Sequence, residues 1–530
     1  MRADLEWVSI PGLVQSSAER FADLEALVDG DLRLSFGQLA ASVLEATQAA
    51  IALGLDPGDR AAIWAPNIAE WVIAALGVLS AGGVLVPLNT RFKGSEAAFV
   101  LAKSGARLLF TVTDFLGTDY VSMLGPERAA LPALERVVVL KGPAAAGTIS
   151  WSEALAAGAA VPAADARRRI AAVRSEDISD IIFTSGTTGR PKGVMVTHGQ
   201  SLRVYEAWTD IVGLTSGDRY LVVNPFFHTF GYKAGFVSAI MRGATTIPQA
   251  VFDVPAVLAR VAEERISMLP GAPTLYQSIL NHPERDAYDL SSLRLAVTGA
   301  AVVPVELIKR MRSELTFKTI ITAYGLTEST GTAAACRHDD DPETIANTSG
   351  RAIPDTELRV ADDAGRELAR GEPGELLVRG YNVMLGYYDD PEATASAIDA
   401  DGWLHTGDVA VMDDRGYIRI TDRKKDMFIV GGFNAYPAEI EGMMLRHPSI
   451  AQVAVVGVPD ERMGEVGMAF VVPRPGEQID PEALITWCRE QMANYKAPRE
   501  VRVVDALPLN ASGKVLKYEL RELAGQSPPP

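Results

Sequence analysis

From Glu19 to about Leu140 the chain alternates stretches of helical apolar periodicity with short apolar runs, among them Arg60-Ala61-Ala62-Ile63-Trp64 and Gly83-Val84-Leu85-Val86-Pro87. Strands that alternate with amphipathic helices predict a parallel sheet with crossover helices. A second run of the same kind extends from Ile178 to about Leu326, with strands predicted at Ile178 to Phe183, Tyr220 to Val223 and Leu293 to Thr298. The intervening Ala144 to Val173 is rich in Ala and Arg with weak apolar patterning and reads as surface helix and connection. Beyond Thr348 the texture changes to short strands between Gly, Pro, Asp and Asn, as in Gly374 to Gly380 and Gly416 to Ile420, the pattern of an all-β subdomain. After Thr421 comes a charged cluster, Asp422-Arg423-Lys424-Lys425-Asp426, and then about a hundred residues with their own helix and strand alternation. A small C-terminal domain behind a charged hinge is the natural parse, although a solvated loop between strands has the same charge pattern.

One stretch, Trp71 to Leu88, is uncharged over about 18 residues, the minimum for a hydrocarbon crossing. Its Gly82-Gly83 pair and Pro87 divide it instead into a buried helix, a turn and a short strand. With 530 residues the chain is long enough for several cores. A hydrophobic content of 48% with 22% charged residues, 46 Gly and 31 Pro excludes disordered, collagenous and coiled-coil classes. The net charge of −17 argues against nucleic acid or an anionic membrane as the main partner, while leaving room for a small anion in a local positive pocket. Only Cys336 and Cys488 occur, so neither a disulfide framework nor a thiolate zinc cluster is expected. The start, Met1 to Glu6, turns acidic at once and lacks an apolar leader segment, and a cytoplasmic location is the expectation.

The densest local chemistry is Thr184-Ser185-Gly186-Thr187-Thr188-Gly189-Arg190-Pro191-Lys192-Gly193. Its glycines let backbone N–H groups converge, its hydroxyls donate to phosphate oxygens, and Arg190 and Lys192 bring positive charge into an acidic protein. It is not a Walker loop, because Val194-Met195-Val196-Thr197 reads as a strand where that loop would open a helix. On composition alone a phosphate loop and a plain linker are equally good readings. Further pieces favour the first. Ala323-Tyr324-Gly325-Leu326-Thr327-Glu328 follows the strand-like Thr319 to Thr322, which places an aromatic ring and a carboxylate at a strand's C-terminal end, where open α/β sheets bind ligands. Gly402-Trp403-Leu404-His405-Thr406-Gly407-Asp408 reads as a turn whose final carboxylate can accept ribose hydroxyls, with His405 packed beside it. Leu509-Asn510-Ala511-Ser512-Gly513-Lys514 offers a lysine from a loop far along the chain.

In this order and spacing the set resembles the adenylate-forming superfamily of acyl-CoA synthetases, luciferases and the adenylation domains of nonribosomal peptide synthetases, over about Glu19 to Glu522. The resemblance implies an α/β fold: a large N-terminal domain, residues 1–422, of two doubly wound α/β subdomains plus a distorted β-barrel, and a small mobile α+β C-terminal domain, residues 423–530, hinged at Lys425. It implies a phosphate loop of Thr184, Ser185, Gly186, Thr187, Thr188, Gly189 and Lys192. Tyr324 would stack on adenine, with Gly325 next to it in the nucleotide site and Gly299, Ala300 and Ala301 lining the other side of the base, and Thr327 would sit by the α-phosphate. Thr184 and Glu328 would hold Mg²⁺, Asp408 and Arg423 the ribose, Lys514 the reacting carboxylate and α-phosphate, and Gly431 and Gly432 the wall of a pantetheine tunnel. The implied reaction has two steps. An acid attacks the α-phosphorus of ATP to form an acyl adenylate, and the CoA thiol then takes the acyl group.

His228, in Asn224-Pro225-Phe226-Phe227-His228-Thr229-Phe230-Gly231, reads from composition as a packed core histidine. The resemblance makes it instead a residue that borders the acyl pocket and gates the approach of the thiol. Pocket residues are expected from Phe226 to Gly235, Gly271 to Tyr276 and Val297 to Ala301, with Lys233 either meeting a ring ketone or lying at the surface. Asn224 to His228, Gly231 to Gly235 and Leu293 to Ala301 look like the actinobacterial ligases of steroid-ring catabolism, which activate the bicyclic propanoate left when rings A and B are removed. That makes ATP, Mg²⁺, CoA and an apolar carboxylic acid the expected cofactor and partners, with no nucleic acid and no membrane span. A medium- or long-chain fatty acid, or a carrier-protein or oxygenase second step, is the alternative. A homodimer is left open by the sequence.

Overall fold

The computed structural model describes residues 2–184, 191–299, 303–423, 426–430, 433–460, 462–492, 494–509 and 515–525, with backbone alone at 422, 423, 429, 433 and 434. Two parallel-rich sheets dominate the first three quarters of the chain. The first has eight strands, ordered Gly386–Tyr387, Lys192–Thr197, Ile178–Thr184, Val84–Pro87, Arg60–Trp64, Leu108–Val112, Arg136–Lys141 and Ile149–Ser150. From Ile178–Thr184 onward its pairings are parallel, and the two strands at the other edge run antiparallel. Val84–Pro87 and Leu108–Val112 are buried at every position, as expected of strands covered on both faces by crossover helices. The second sheet places Glu25–Asp29, Thr245–Pro248 and Arg219–Val222 side by side in parallel, and a bridge through Met268 joins them to Leu295–Thr298 and Thr319–Tyr324. The parallel sheets expected from the alternation are therefore present, in the doubly wound pair that the resemblance implies.

Local signals explain where the helices begin. Ser35 and Gln38 form a reciprocal capping box ahead of Phe36–Ala52, and Thr197 and Gln200 do the same ahead of His198–Val212. The uncharged Trp71 to Leu88 stretch resolves into the helix Ala69–Ser80, buried at all but one of its positions, a turn, and the strand Val84–Pro87. No helix among the described residues is long and apolar enough to cross a membrane.

Thr356–Ala361, Gly374–Gly380, Leu404–Met412 and Ile418–Arg423 form an antiparallel sheet with register shifts. Two details depart from the sequence reading. The segment ending in Asp408 is not a turn: it lies within the strand Leu404–Met412, and a bulge opposite Glu375 and Leu377 accommodates Gly407. The strand expected from Gly416 starts at Ile418, because Asp413 Oδ1 accepts the amides of Arg415 and Tyr417 and closes a turn there. Beyond it a five-stranded sheet, built around the antiparallel pair Ile450–Asp460 and Gly464–Pro473, buries both faces. Val455, Ala469 and Val471 pack with Ile440, Leu484 and Cys488 on one side, while Ala454, Val456 and Phe470 pack with Leu520 on the other. This alternation is the period-2 consequence of strand geometry. Both cysteines are buried, and burial raises both thiols, that of Cys488 to about 11.

Candidate active site

The C-terminal ends of the two parallel sheets face one another. Thr184 closes the strand Ile178–Thr184 and stands opposite Lys192, the first residue of the antiparallel return strand. Across the gap, Thr319–Tyr324 ends in Tyr324, Gly325 follows, and a single 3₁₀ turn, Thr327–Ser329, carries Thr327 and Glu328. The Thr184 hydroxyl donates to Glu328 Oε1 at 3.4 Å, and the Tyr387 hydroxyl donates to the same oxygen at 2.9 Å. Burial, and then the charge of Glu328, raise the Tyr387 phenol well above its ordinary range, so it keeps its proton for this bond. The Lys192 ammonium lies 5.0 Å from the centre of the Tyr387 ring, within cation–π range.

Tyr324 donates its hydroxyl to Asp408 Oδ2 at 2.6 Å, which joins the second sheet to the bulged strand of the antiparallel layer. Asp408 pairs in backbone register with Arg423. Gly325 runs so close to Gly331 that a Cβ would strike that residue's carbonyl, so the backbone after Tyr324 requires glycine. Thr327 is buried, and Gly299 follows the strand Leu295–Thr298 at its C-terminal end. His228 is half-buried and caps the short helix Thr229–Gly231, its Nδ1 accepting from the Phe230 amide at 3.2 Å. Ser185, Gly186, Thr187, Thr188, Gly189, Arg190, Ala300, Ala301, Lys425, Gly431, Gly432 and Lys514 lie outside the described residues, as does the side chain of Arg423.

Three expectations need correction. Lys233 neither reaches a ligand nor lies at the surface: it has no exposure and sits 2.9 Å from Asp180 Oδ1, itself without exposure. The ring nitrogens of His405 face two carboxylates other than the Asp408 expected beside it, Glu375 at 3.4 Å and Asp399 at 3.8 Å. Of the expected pocket residues, Phe226 and Tyr232 pack inward with Trp71 and Phe236 in one aromatic cluster, while Tyr276 braces the Leu269 and Val297 carbonyls. Their zero exposure leaves Phe227, His228 and Phe230 as the partly exposed part of that wall.

Sequence reasoning missed Tyr387, Asn382 and Asn67. Asn382 is fully buried and donates to the Thr332 carbonyl at 3.1 Å, while Thr330 Oγ1 donates to the Asn382 carbonyl at 2.7 Å, so the turn bearing Glu328 is stitched to the segment bearing Tyr387. Asn67 donates to the Val222 and Asn224 carbonyls and accepts from the Phe226 amide at 2.8 Å, which fixes the start of the aromatic segment. A signal for Tyr387 existed: Gly380 to Tyr388 holds three tyrosines in a chain with only 7% aromatic residues.

The oxygens of Thr184 and Glu328 suit a hard divalent cation that keeps much of its shell as water and ligand oxygen. Among the described residues no cluster of three His, Cys, Asp or Glu could hold a metal ion.

Comparison with known proteins is consistent with this arrangement. Residues 14–388 match the AMP-binding enzyme family and residues 439–514 match the AMP-binding enzyme C-terminal domain. The chain is 52% identical, over 97% of its length and 98% of the relative's, to the 3-[(3aS,4S,7aS)-7a-methyl-1,5-dioxo-octahydro-1H-inden-4-yl]propanoyl:CoA ligase of Rhodococcus jostii. It is equally similar, at 52% over 97% of this chain and 99% of the relative, to the ligase of the same name from Mycobacterium tuberculosis. Among solved structures, the anthranilate CoA ligase AuaEII in complex with anthranoyl-AMP superimposes with a TM-score of 0.87 at 28% identity, covering 99% of both chains. A Mycobacterium tuberculosis fatty acyl CoA synthetase gives 0.76 at 31%, covering 98% of both. The chain belongs to the AMP-binding enzyme family and is an AMP-forming acyl-CoA ligase.

Proposed function

We propose that the acid this ligase activates is the bicyclic 7a-methyl-1,5-dioxo-octahydroindenyl propanoate, and that the cleft between the two sheets is where its adenylate forms. The observation that carries the placement is the meeting of Thr184, Glu328 and Tyr387 at the C-terminal ends of strands from both sheets. The identity to two ligases named for that acid supports the substrate. The partly exposed Phe227 and Phe230 supply an apolar wall for fused rings, and the buried pairing with Asp180 keeps the Lys233 charge off that wall.

In this reading Thr184 and Glu328 hold Mg²⁺, which when bound neutralises phosphate charge. Lys192 faces the outer phosphates with the 185–190 loop, and Tyr324 packs on adenine while Asp408 accepts from the ribose hydroxyls and Arg423 donates to them. Lys514 steadies the carboxylate as it attacks the α-phosphorus and pyrophosphate departs. His228 separates the acyl group from the thiol's approach. The chain then acts as two bodies, residues 1–422 and 423–530, hinged at Lys425. Turning withdraws Lys514 and brings Gly431 and Gly432 to the pantetheine path, and the CoA thiolate attacks the acyl carbonyl to release AMP.

The test offers the bicyclic propanoate, octanoate and palmitate separately with ATP, Mg²⁺ and CoA, and reads acyl-CoA and AMP by mass. The bicyclic acid is expected to exceed the straight chains by at least about tenfold in kcat/KM, roughly 1.4 kcal/mol of transition-state preference. A preference for octanoate or palmitate would transfer the assignment to the fatty-acid alternative, and ADP with orthophosphate would reject adenylation. Lys514→Ala is expected to abolish adenylate formation and spare thioester formation from synthetic acyl adenylate.

A further inference from the structure

The contact between Asp180 and Lys233 is as fully buried as the innermost residues around the cleft and has no role in the reaction proposed above. Asp180 stands on the strand Ile178–Thr184, on the same face as Thr184 because side chains alternate with period two. Lys233 sits in the widened π-turn Tyr232–Val237 that continues the short helix capped by His228, and Ser238 Oγ donates to the Lys233 carbonyl at 2.9 Å. Both side chains have zero exposure, and the ammonium is 2.9 Å from Asp180 Oδ1. Ser179 Oγ donates to the other carboxylate oxygen at 2.6 Å, and no second described acceptor meets the ammonium. Around the pair stand His198, Tyr205 and Tyr232. Burial, then the Lys233 charge, pull His198 down to about 3, so it remains neutral, and its Nδ1 accepts the Ile10 amide.

The same interior closes a loop of contacts back to the cleft. The Tyr205 hydroxyl donates to the Thr330 carbonyl at 3.0 Å, immediately after the turn that carries Glu328. A Cβ on Gly331 would strike both the Tyr205 hydroxyl and Thr229, so the Glu328 turn and the first residue after His228 share this junction. Thr184 touches Glu328, Glu328 is held through Tyr205 beside Thr229, the helix leads to Lys233, and Lys233 returns through Asp180 to the strand of Thr184. A sparsely hydrogen-bonded buried ion pair gains little over apolar side chains of similar volume, so stability alone does not account for charges here. In some proteins such a pair instead specifies a single register between the elements it joins.

We propose that Asp180 and Lys233 are a positioning pair, fixing the strand that delivers Thr184 against the segment that carries His228 and so setting the distance between the nucleotide end and the acid end of the cleft. This rests on the roles proposed above for Thr184 and His228. Acyl-AMP formation by the wild-type enzyme therefore comes first, and its absence would reject that reading without bearing on the pair.

The decisive variant is the double Asp180→Asn, Lys233→Met, which removes both charges together and keeps side-chain volume. It is expected to fold with a thermal midpoint within a few degrees of wild type. The KM for ATP and for the acid should each rise at least fivefold, and calorimetric affinity for a non-hydrolysable ATP analogue with Mg²⁺ should weaken by a similar factor. A merely structural role would lower kcat through the active fraction and leave both KM values and the affinity of the folded molecules unchanged; that result would overturn the proposal. Should the double variant not fold, hydrogen exchange in the wild type decides. The ATP analogue with Mg²⁺, without acid, is expected to slow exchange of the 229–238 amides at least threefold, and no change there would overturn the pair's coupling role.

Discussion

The two ends of the parallel strands are built from the same residue types and treated in opposite ways. At their N-terminal ends, carboxylates are saturated by arginine. Glu25 and Glu264 share Arg33 and Arg219, Asp218 takes Arg294 together with Ser267 and Thr215, and Asp59 and Glu135 share Arg107. At the C-terminal ends, Glu328 meets the hydroxyls of Thr184 and Tyr387, and among the described residues no cation pairs with it. Charge neutralised internally serves the fold, whereas charge left to neutral donors keeps its capacity to attract a cation or order a ligand. The difference teaches that one end of the sheets is closed by internal ion pairs, while at the other a carboxylate is met by neutral hydroxyls, the setting the proposed reaction requires.

That division can be broken most forcefully at Glu328. Glu328→Gln is expected to lower acid-dependent pyrophosphate release by roughly 10² to 10³, the usual scale for one transition-state electrostatic contact, with a thermal midpoint close to wild type. A large fall in midpoint instead would make Glu328 a structural residue and end the contrast. The converse test is Asp218→Asn, at a side chain only 3% exposed. It leaves Arg294 without its charge partner and should cost about 3 kcal/mol, seen as a midpoint lower by several degrees with KM for ATP unchanged. Tyr387→Phe, which removes one hydrogen bond to Glu328, should change the Mg²⁺ concentration for half-maximal rate by about fivefold, near 1 kcal/mol.

The smallest effect is an acid one. Arg33, aided by Arg219, holds Glu25 at about 2 against an ordinary 4.5. A carboxylate lowered on folding stabilises the native state above its unfolded pKa and loses that contribution as pH falls through the folded one. Acid unfolding followed by tryptophan fluorescence should therefore be less steep in Glu25→Gln between pH 4.5 and 2, and the difference should shrink in high salt because the group is partly exposed.

What the sequence disclosed follows the range of each signal. The strands Arg60–Trp64 and Gly374–Gly380 could be read to the residue, since apolar alternation and flanking glycines are local. Thr184 and Glu328, which the fold brings within 3.4 Å, could be singled out because the polar residues around each are concentrated in a few consecutive positions. Tyr387 could not, because its meaning comes from Glu328, 59 positions away, and Asn67 acts on Phe226 at a separation of 159. Lys233 was misread for the same reason. A lysine between a tyrosine and an alanine gives no hint that its counter-ion waits on a strand more than fifty residues earlier, and only the folded arrangement makes it an interior charge. His405 needed the pairing of strands, since Glu375, which its ring faces, lies on the strand beside it.

The seclusion of Cys336 and Cys488 has a consequence for an enzyme whose second substrate is itself a sulfhydryl. With both sulfurs inside and held protonated, the protein presents no rival to intercept an activated ester or to exchange with oxidised coenzyme. Maleimide and related labels should leave the native molecule untouched, and a single cysteine engineered on the surface would be a clean address for a fluorophore.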